Sequence, residues 1–276
     1  MIERNLTAIV TVSEQERAQG NLDRVLKLVR ENSRINPTEI INLPQEQLVS
    51  LMQLWRIWTV SLMSLAGKKW NGDKAAELLL EARGIFRDYY KHSCTQAAAL
   101  EMRNDPSEAE YQMLPEMKRD EGKWWKIWAQ LTGRPEYLER AIGCYNEAIQ
   151  AATEDSSALG VAIMEREIAK RQRGEKINWD IFSFAYGKVV ELAPQAGGWD
   201  RKAAVSWWYI REAILAGRRK EIKEGLTNLQ NACQEGKIPW IKYPLIEIIQ
   251  LSLSIVRRAT YTGHKDPDLA ASTTRA

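Results

Sequence analysis

The sequence predicts an all-α fold, an α-solenoid of antiparallel helix hairpins, and three observations carry that prediction. The first is the stretch Gly133 to Ala152, GRPEYLERAIGCYNEAIQAA, where a turn opens onto Ala141, Tyr145, Ala148 and Ala152 at helical spacing. Alternating small and large residues on one face let a helix lie close to a neighbour, with the alanines setting the distance and Tyr145 filling the gap. The second is that this spacing returns, with a small or apolar residue eight positions after a turn glycine, a large one at twelve and a small or branched one at fifteen. Gly67 gives Ala75, Leu79 and Ala82; Gly174 gives Phe182, Tyr186 and Val189; Gly217 gives Gly225, Leu229 and Ala232. A unit repeated in this way must stack on its neighbours to bury its apolar face. The third lies upstream, where three of the glycines follow a tryptophan by nine residues (Trp58, Trp124, Trp208) and a leucine by two (Leu65, Leu131, Leu215). The unit at Gly174 departs from this half of the pattern, with Glu165 and Gln172 in those places.

Taken in order, residues 4 to 18 and 21 to 34 read as a short helical pair around Gly20, with Leu22, Val25, Leu28 and Val29 on one face of the second. This pair, about 1–36, is expected to cap the N-terminal end, because a terminal repeat covers one apolar face and shows water the other. Asn36-Pro37 and Leu43-Pro44 bracket the connection to hairpins that run from about 45 to 236. The first of these has helices from Gln45 to Ala66 and from Asp73 onward, with Asn71-Gly72-Asp73 supplying turn and cap. The turn glycines are 66, 41 and 43 residues apart, so this hairpin holds extra residues, as longer helices or an added one, before Asn104-Asp105-Pro106-Ser107 restarts the chain. Residues 115 to 132 then carry Trp124, Trp125, Ile127, Trp128 and Leu131. Pro135 opens the partner helix, and Glu136 and Glu139 favour its start. Ser156-Ser157 caps a helix over 158–173, Asn178 caps 179–193, and Gly197-Gly198-Trp199-Asp200 opens a last hairpin of 200–216 and 220–234. A C-terminal capping helix is expected at about 244–261, where LIEIIQLSLSIV is apolar on most sides. Residues 1–263 are thus expected to form one domain, and 264–276 a flexible tail.

YGKVVELAP, Tyr186 to Pro194, and AIGCYNEAI, Ala141 to Ile149, resemble the second helix of the tetratricopeptide repeat family, which spaces small, aromatic and small residues four then three apart and often places a proline five residues further on. The resemblance covers about residues 46 to 236. It departs from the family in its longer intervals, in Phe182 at a small-residue position and in a longer turn between helices. It implies a right-handed superhelix whose first helices line a concave face that takes a partner protein or peptide. Carried over residue by residue, the groove positions are Ser61, Ser64, Lys123, Gln130, Arg171, Trp207 and Arg211, with Ile127, Ile168 and Ile214 on equivalent places. The asparagine and lysine clamp with which some members hold a C-terminal carboxylate is not found in the sequence.

Eleven tryptophans against three phenylalanines is a heavy aromatic load, and Trp55, Trp58, Trp124, Trp125, Trp128, Trp207 and Trp208 fall in first helices. They read as filling between stacked pairs, or as a sticky inner surface. Net charge is +3, and from Arg201 onward 13 basic residues face 7 acidic ones, a mild polarity without the clustered footprint of a nucleic-acid binder. The charge run MEREIAKRQRGEK reads as a solvated helix face. Its alternative is an anion-binding face of Arg166, Lys170 and Arg173, with Arg218 and Arg219 on the last hairpin.

Cys94, Cys144 and Cys233 are odd in number and widely separated, which argues against a disulfide framework or zinc site and fits a reducing compartment. No basic stretch followed by a long apolar run opens the sequence, so a cytoplasmic protein is expected. Leu48 to Ala66 is long enough to cross a bilayer, yet Arg56 and Gln53 near its middle make insertion costly, so no membrane span is expected. His92 and Cys94 are two residues apart, a spacing that on one helix would turn them to different faces, and no phosphate loop, metal helix or nucleophile elbow is present. The expectation is therefore of no catalytic residue, metal or cofactor, and of a non-enzymatic scaffold or adaptor for a protein or peptide partner. A nucleic-acid- or ribonucleoprotein-associated repeat is the alternative, followed by an α-helical enzyme without a recognisable motif. Self-association through uncapped ends stays open.

Overall fold

The computed structural model describes residues 5–33, 43–87, 108–154, 156–194 and 198–263. Among them are eleven helices and no strand: α1 (Leu6–Ala18), α2 (Leu22–Asn32), α3 (Gln45–Lys68), α4 (Gly72–Ile85), α5 (Glu108–Thr132), α6 (Glu136–Ala151), α7 (Ser157–Gln172), α8 (Trp179–Leu192), α9 (Trp199–Leu215), α10 (Arg219–Glu235) and α11 (Lys242–Ala259). Side-chain caps set several starts. Asn5, Asn71, Ser156 and Asn178 accept from the amides of Ala8, Lys74, Leu159 and Ile181 at 3.0, 2.9, 3.2 and 3.3 Å. Gly133, Gly174 and Gly217 end helices with φ of 74°, 103° and 68°, a left-handed conformation that glycine adopts without strain. Gly67 does not play that part. It lies inside α3, and the turn falls at Lys69, Trp70 and Asn71. Pro115 lies within α5, which begins at Glu108. His92 and Cys94, Asn36-Pro37, residues 88–107 between α4 and α5 and the expected tail lie outside the described residues.

Successive helices pack in pairs, α1 on α2, α3 on α4, α5 on α6, α7 on α8 and α9 on α10, and α6 against α7 and α8 against α9 join the pairs. All twelve positions of the recurring pattern, from Ala75 to Ala232, are buried on the second helices. Upstream, Trp58, Trp124 and Leu131 are buried, Trp208 and Leu65 are half-buried, and Leu215 is exposed. The tryptophans of α3 and α5 are core residues. Trp124 meets Trp125 and Trp128 edge-on at 4.5 and 5.7 Å, and its indole N–H donates to the Leu79 carbonyl at 2.6 Å. One apolar cluster fills the space among α1 to α6, a second joins α7, α8 and α9, and a third lies between α9 and α10. Gln47–Lys68 is long and apolar enough to cross a membrane, but 67% of that window is buried against the rest of the chain.

Helix α11 runs against the neighbour-to-neighbour order. Expected as a cap at about 244–261, it touches α9 and then crosses back to α3, α4 and α5. Arg257 donates to the Ala66 carbonyl at 3.0 Å, and the Gly72 amide donates to Thr260 Oγ1 at 2.7 Å. Thr262 donates to Asp73 through both its amide and its hydroxyl, each at 3.0 Å. The approach is so close that a Cβ on Gly72 would stand 2.2 Å from the Arg257 carbonyl oxygen, so only glycine fits there.

Candidate partner-binding site

On α5, Glu116, Arg119, Asp120, Lys123 and Lys126 recur three or four residues apart and share one side of the helix. They face the first helices of the neighbouring pairs. Arg56 of α3 reaches Glu116 at 2.7 Å and Asp120 at 2.9 Å, and Arg119 reaches Glu116 at 2.7 Å. Glu165 of α7 lies 3.6 Å from Arg119 and 3.5 Å from Lys123, while Arg201 of α9 approaches Glu116 at 3.6 Å. Further along, Glu212 of α9 pairs with Arg171 of α7 and, at 2.6 Å, with Arg211. Glu247 of α11 completes the belt by pairing with Arg211 at 2.9 Å and accepting from the Trp207 indole.

Burial makes these charges costly unless each finds a counter-charge. Asp120 and Glu165 are each 1% exposed. Burial alone would push the Asp120 carboxyl up, but Arg56, Lys123 and Arg119 outweigh it and hold it at about 2. Glu116 is lowered in the same way, burial again being overcome by Arg119 and Arg56. The guanidinium groups of Arg56 and Arg119 are raised despite their burial, by the carboxylates around them. Lys126 behaves differently. Burial lowers its pKa, Lys123 and Arg211 add to the effect, and Glu165 and Glu212 offset it only in part. Among the described residues its ammonium forms no ion pair or hydrogen bond. Neither oxygen of Glu165 accepts a hydrogen bond, and the nearby Tyr145 hydroxyl has no partner either.

The belt brings together four of the groove positions read from the family resemblance, Lys123, Arg171, Trp207 and Arg211. It does not include the others. Ser61 is buried in the core with its hydroxyl unpartnered, Ser64 is exposed, and Gln130 lines a narrow cleft with Ser254 and Arg257 beneath α11. The charge run on α7 is not the solvated face that its composition suggests. Glu165 and Glu167 are buried, Arg166 and Lys170 reach Glu167 at 3.0 and 3.1 Å, and the Asn178 amide donates to the same carboxylate. Arg173 pairs with Glu175 and with Glu139, and Arg218 with Glu221 at 2.6 Å, while Arg219 is exposed.

No protein-family model, curated protein or solved structure matches this chain. Its chemistry is therefore read from its own residues. Among those described, no group of three or more His, Cys, Asp or Glu side chains is arranged to hold a metal ion. Cys144 is buried, and its thiol is pushed up by that burial, which disfavours the nucleophilic thiolate. Sequence reasoning missed Arg56, Glu116, Arg119, Asp120, Lys126, Glu212 and Glu247 as members of a site. One signal was present. Glu165 occupies the place that Trp58, Trp124 and Trp208 hold in the other pairs, and a carboxylate in a buried aromatic slot requires cations around it.

Proposed function

We propose that the chain is a non-enzymatic scaffold, a solenoid of tetratricopeptide-like hairpins, that holds a partner protein by an acidic segment laid on the belt of its first helices. The observation that carries this reading is Lys126, a half-buried lysine set among Lys123 and Arg211 without a carboxylate of its own. The belt holds seven basic side chains, Arg56, Arg119, Lys123, Lys126, Arg171, Arg201 and Arg211, against five carboxylates, Glu116, Asp120, Glu165, Glu212 and Glu247. An arriving carboxylate restores the balance, and a charge-assisted hydrogen bond in so shielded a place is stronger than one in water. The basic side chains at 166, 170, 173 and 218 are already matched to carboxylates, which leaves the nucleic-acid reading with less support.

The test is affinity capture from the native cell at low and high salt, with and without nuclease, using the wild type and Lys126→Glu. A defined protein retained through nuclease by the wild type and lost from Lys126→Glu, with the variant's helical content unchanged, is the expected result. Nucleic acid that accompanies the wild type and leaves as salt rises replaces this reading with the alternative.

A further inference from the structure

Helix α11 is built inside out. The residues it turns toward the fold are polar: Tyr243 donates to Asp200 at 2.7 Å, Glu247 meets Trp207 and Arg211, and Ser254 and Arg257 line the cleft against α4 and α5. The residues it turns outward are mostly aliphatic, with Gln250 and Ser252 exposed among them. Leu245, Ile248, Ile249, Leu251, Ile255 and Val256 are all exposed, Ile248 and Ile255 at 63% and 64%. The helix is thus fixed by polar contacts along its inner side, while its apolar side buries nothing. An exposed apolar stripe of this length on a folded chain marks a surface that something covers.

Three features identify the cover. The first is aromatic: Trp240, 64% exposed, stands just before α11, and Trp70, 65% exposed, stands at its far end, where the Thr260 hydroxyl donates to the Trp70 carbonyl at 3.2 Å. Tryptophans at both ends of an aliphatic stripe match the pattern of residues that sit at headgroup level. The second is charge. Between Gly236 and Gly263 the basic residues are Lys237, Lys242, Arg257 and Arg258, of which Lys242 pairs with Asp200 at 3.0 Å and Arg257 is buried, and the one acid, Glu247, is turned inward to Arg211. Lys68 and Arg258 are exposed near one end of the helix and Lys237 near the other. The third is shape, since the crest of a single helix offers knobs without the pockets in which protein hot spots seat their anchors. A second copy laid antiparallel on this helix sets Lys237 of one chain near Arg258 of the other, a like-charge pairing.

We propose that the outward face of α11, flanked by Trp240 and Trp70, docks this protein on an anionic lipid bilayer. The helix of 18 residues is about 27 Å long and carries Glu247, Gln250, Ser252, Ser254 and Arg257, so it lies in the interface and does not cross. Its aliphatic side chains enter the headgroup boundary, and the basic ends meet lipid phosphates.

Flotation of the full chain with vesicles tests this, using phosphatidylcholine alone and phosphatidylcholine mixed with phosphatidylserine. The wild type is expected to float with the mixed vesicles and to float less with the neutral ones. Ile248→Asp combined with Ile255→Asp, two outward positions whose change leaves the core intact, is expected to lower the bound fraction roughly tenfold. Leu226→Asp, at an exposed position on α10, is expected to float like the wild type. A wild type that stays at the bottom with mixed vesicles overturns the proposal. So does equal flotation of the double variant, or a dimer in light scattering that the double variant dissolves.

Discussion

Helix α5 is buried on two sides by different physics. On one side Trp124, Trp125 and Trp128 pack edge-on and against Tyr137 of α6, where stability comes from apolar area and shape. On the other side Glu116, Arg119 and Asp120 are buried and Lys123 half-buried, and they are stabilised by opposite charges on α3 and α7. The same contrast recurs between pairs, since Glu165 fills the slot that Trp124 fills one hairpin earlier. The repeat therefore specifies which positions are buried, and the local neighbours specify what chemistry burial demands. An aromatic slot tolerates salt and acid; a charged slot depends on both.

The largest expected effect is on the aromatic side. Trp124→Ala removes a buried indole and its hydrogen bond to Leu79, and about 3–5 kcal/mol of stability is expected to go with it, read from urea unfolding. Its melting temperature should follow the wild type as pH changes, offset by a constant amount.

Asp120→Asn breaks the charged side and is expected to cost about 3 kcal/mol near neutral pH, because Arg56 loses a buried partner. Here pH sharpens the contrast. Folding depresses the Asp120 pKa to about 2, below its unfolded value of about 3.9, so its contribution is complete above that unfolded value and is lost as pH falls toward 2. The groups that hold it there are Arg56 from α3 and Lys123 and Arg119 from α5. The wild-type melting temperature is expected to fall between pH 5 and 2, and that of Asp120→Asn to fall less over the same interval. Parallel curves for the two proteins would remove the claim that acid sensitivity resides in the belt.

The smallest effect is expected at the surface. Arg218→Ala breaks an exposed pair with Glu221 and a contact with the Trp179 ring, and should leave the urea midpoint nearly unchanged in the same unfolding experiment.

The part of the fold that rests on local periodicity was legible in the sequence. The small–large–small spacing placed Ala141, Tyr145 and Ala148 in the core, along with their counterparts in three other pairs, because helical geometry alone puts such residues on one face. Features that depend on distant partners were not legible in the same way. The charge run of α7 looks solvated until Arg119 and Lys123 arrive from a helix more than 40 residues earlier in the chain. Gly67 suggested a turn, but the chain continues as helix to Lys68 and turns at Lys69 and Trp70, just ahead of the Asn71 cap that the sequence did show. For α11, an apolar sequence suggested a buried cap, whereas its few polar residues are the ones that attach it. Of the site, the family resemblance reached Lys123, Arg171, Trp207 and Arg211, and the buried carboxylates that organise them were visible only as a broken pattern at Glu165.

The attachment of α11 joins parts of the chain that lie far apart in sequence. Gly72 and Thr260 are 188 residues apart, and Ala66 and Arg257 are 191 apart. Closing so long a loop comes late, after the hairpins between have folded and brought its ends near. On the ribosome the early hairpins emerge and fold first, with the Ala66 carbonyl and the Gly72 amide still facing water. The clasp closes only once α11 has been released, so the docked helix reports that every hairpin from α3 to α10 has already been made.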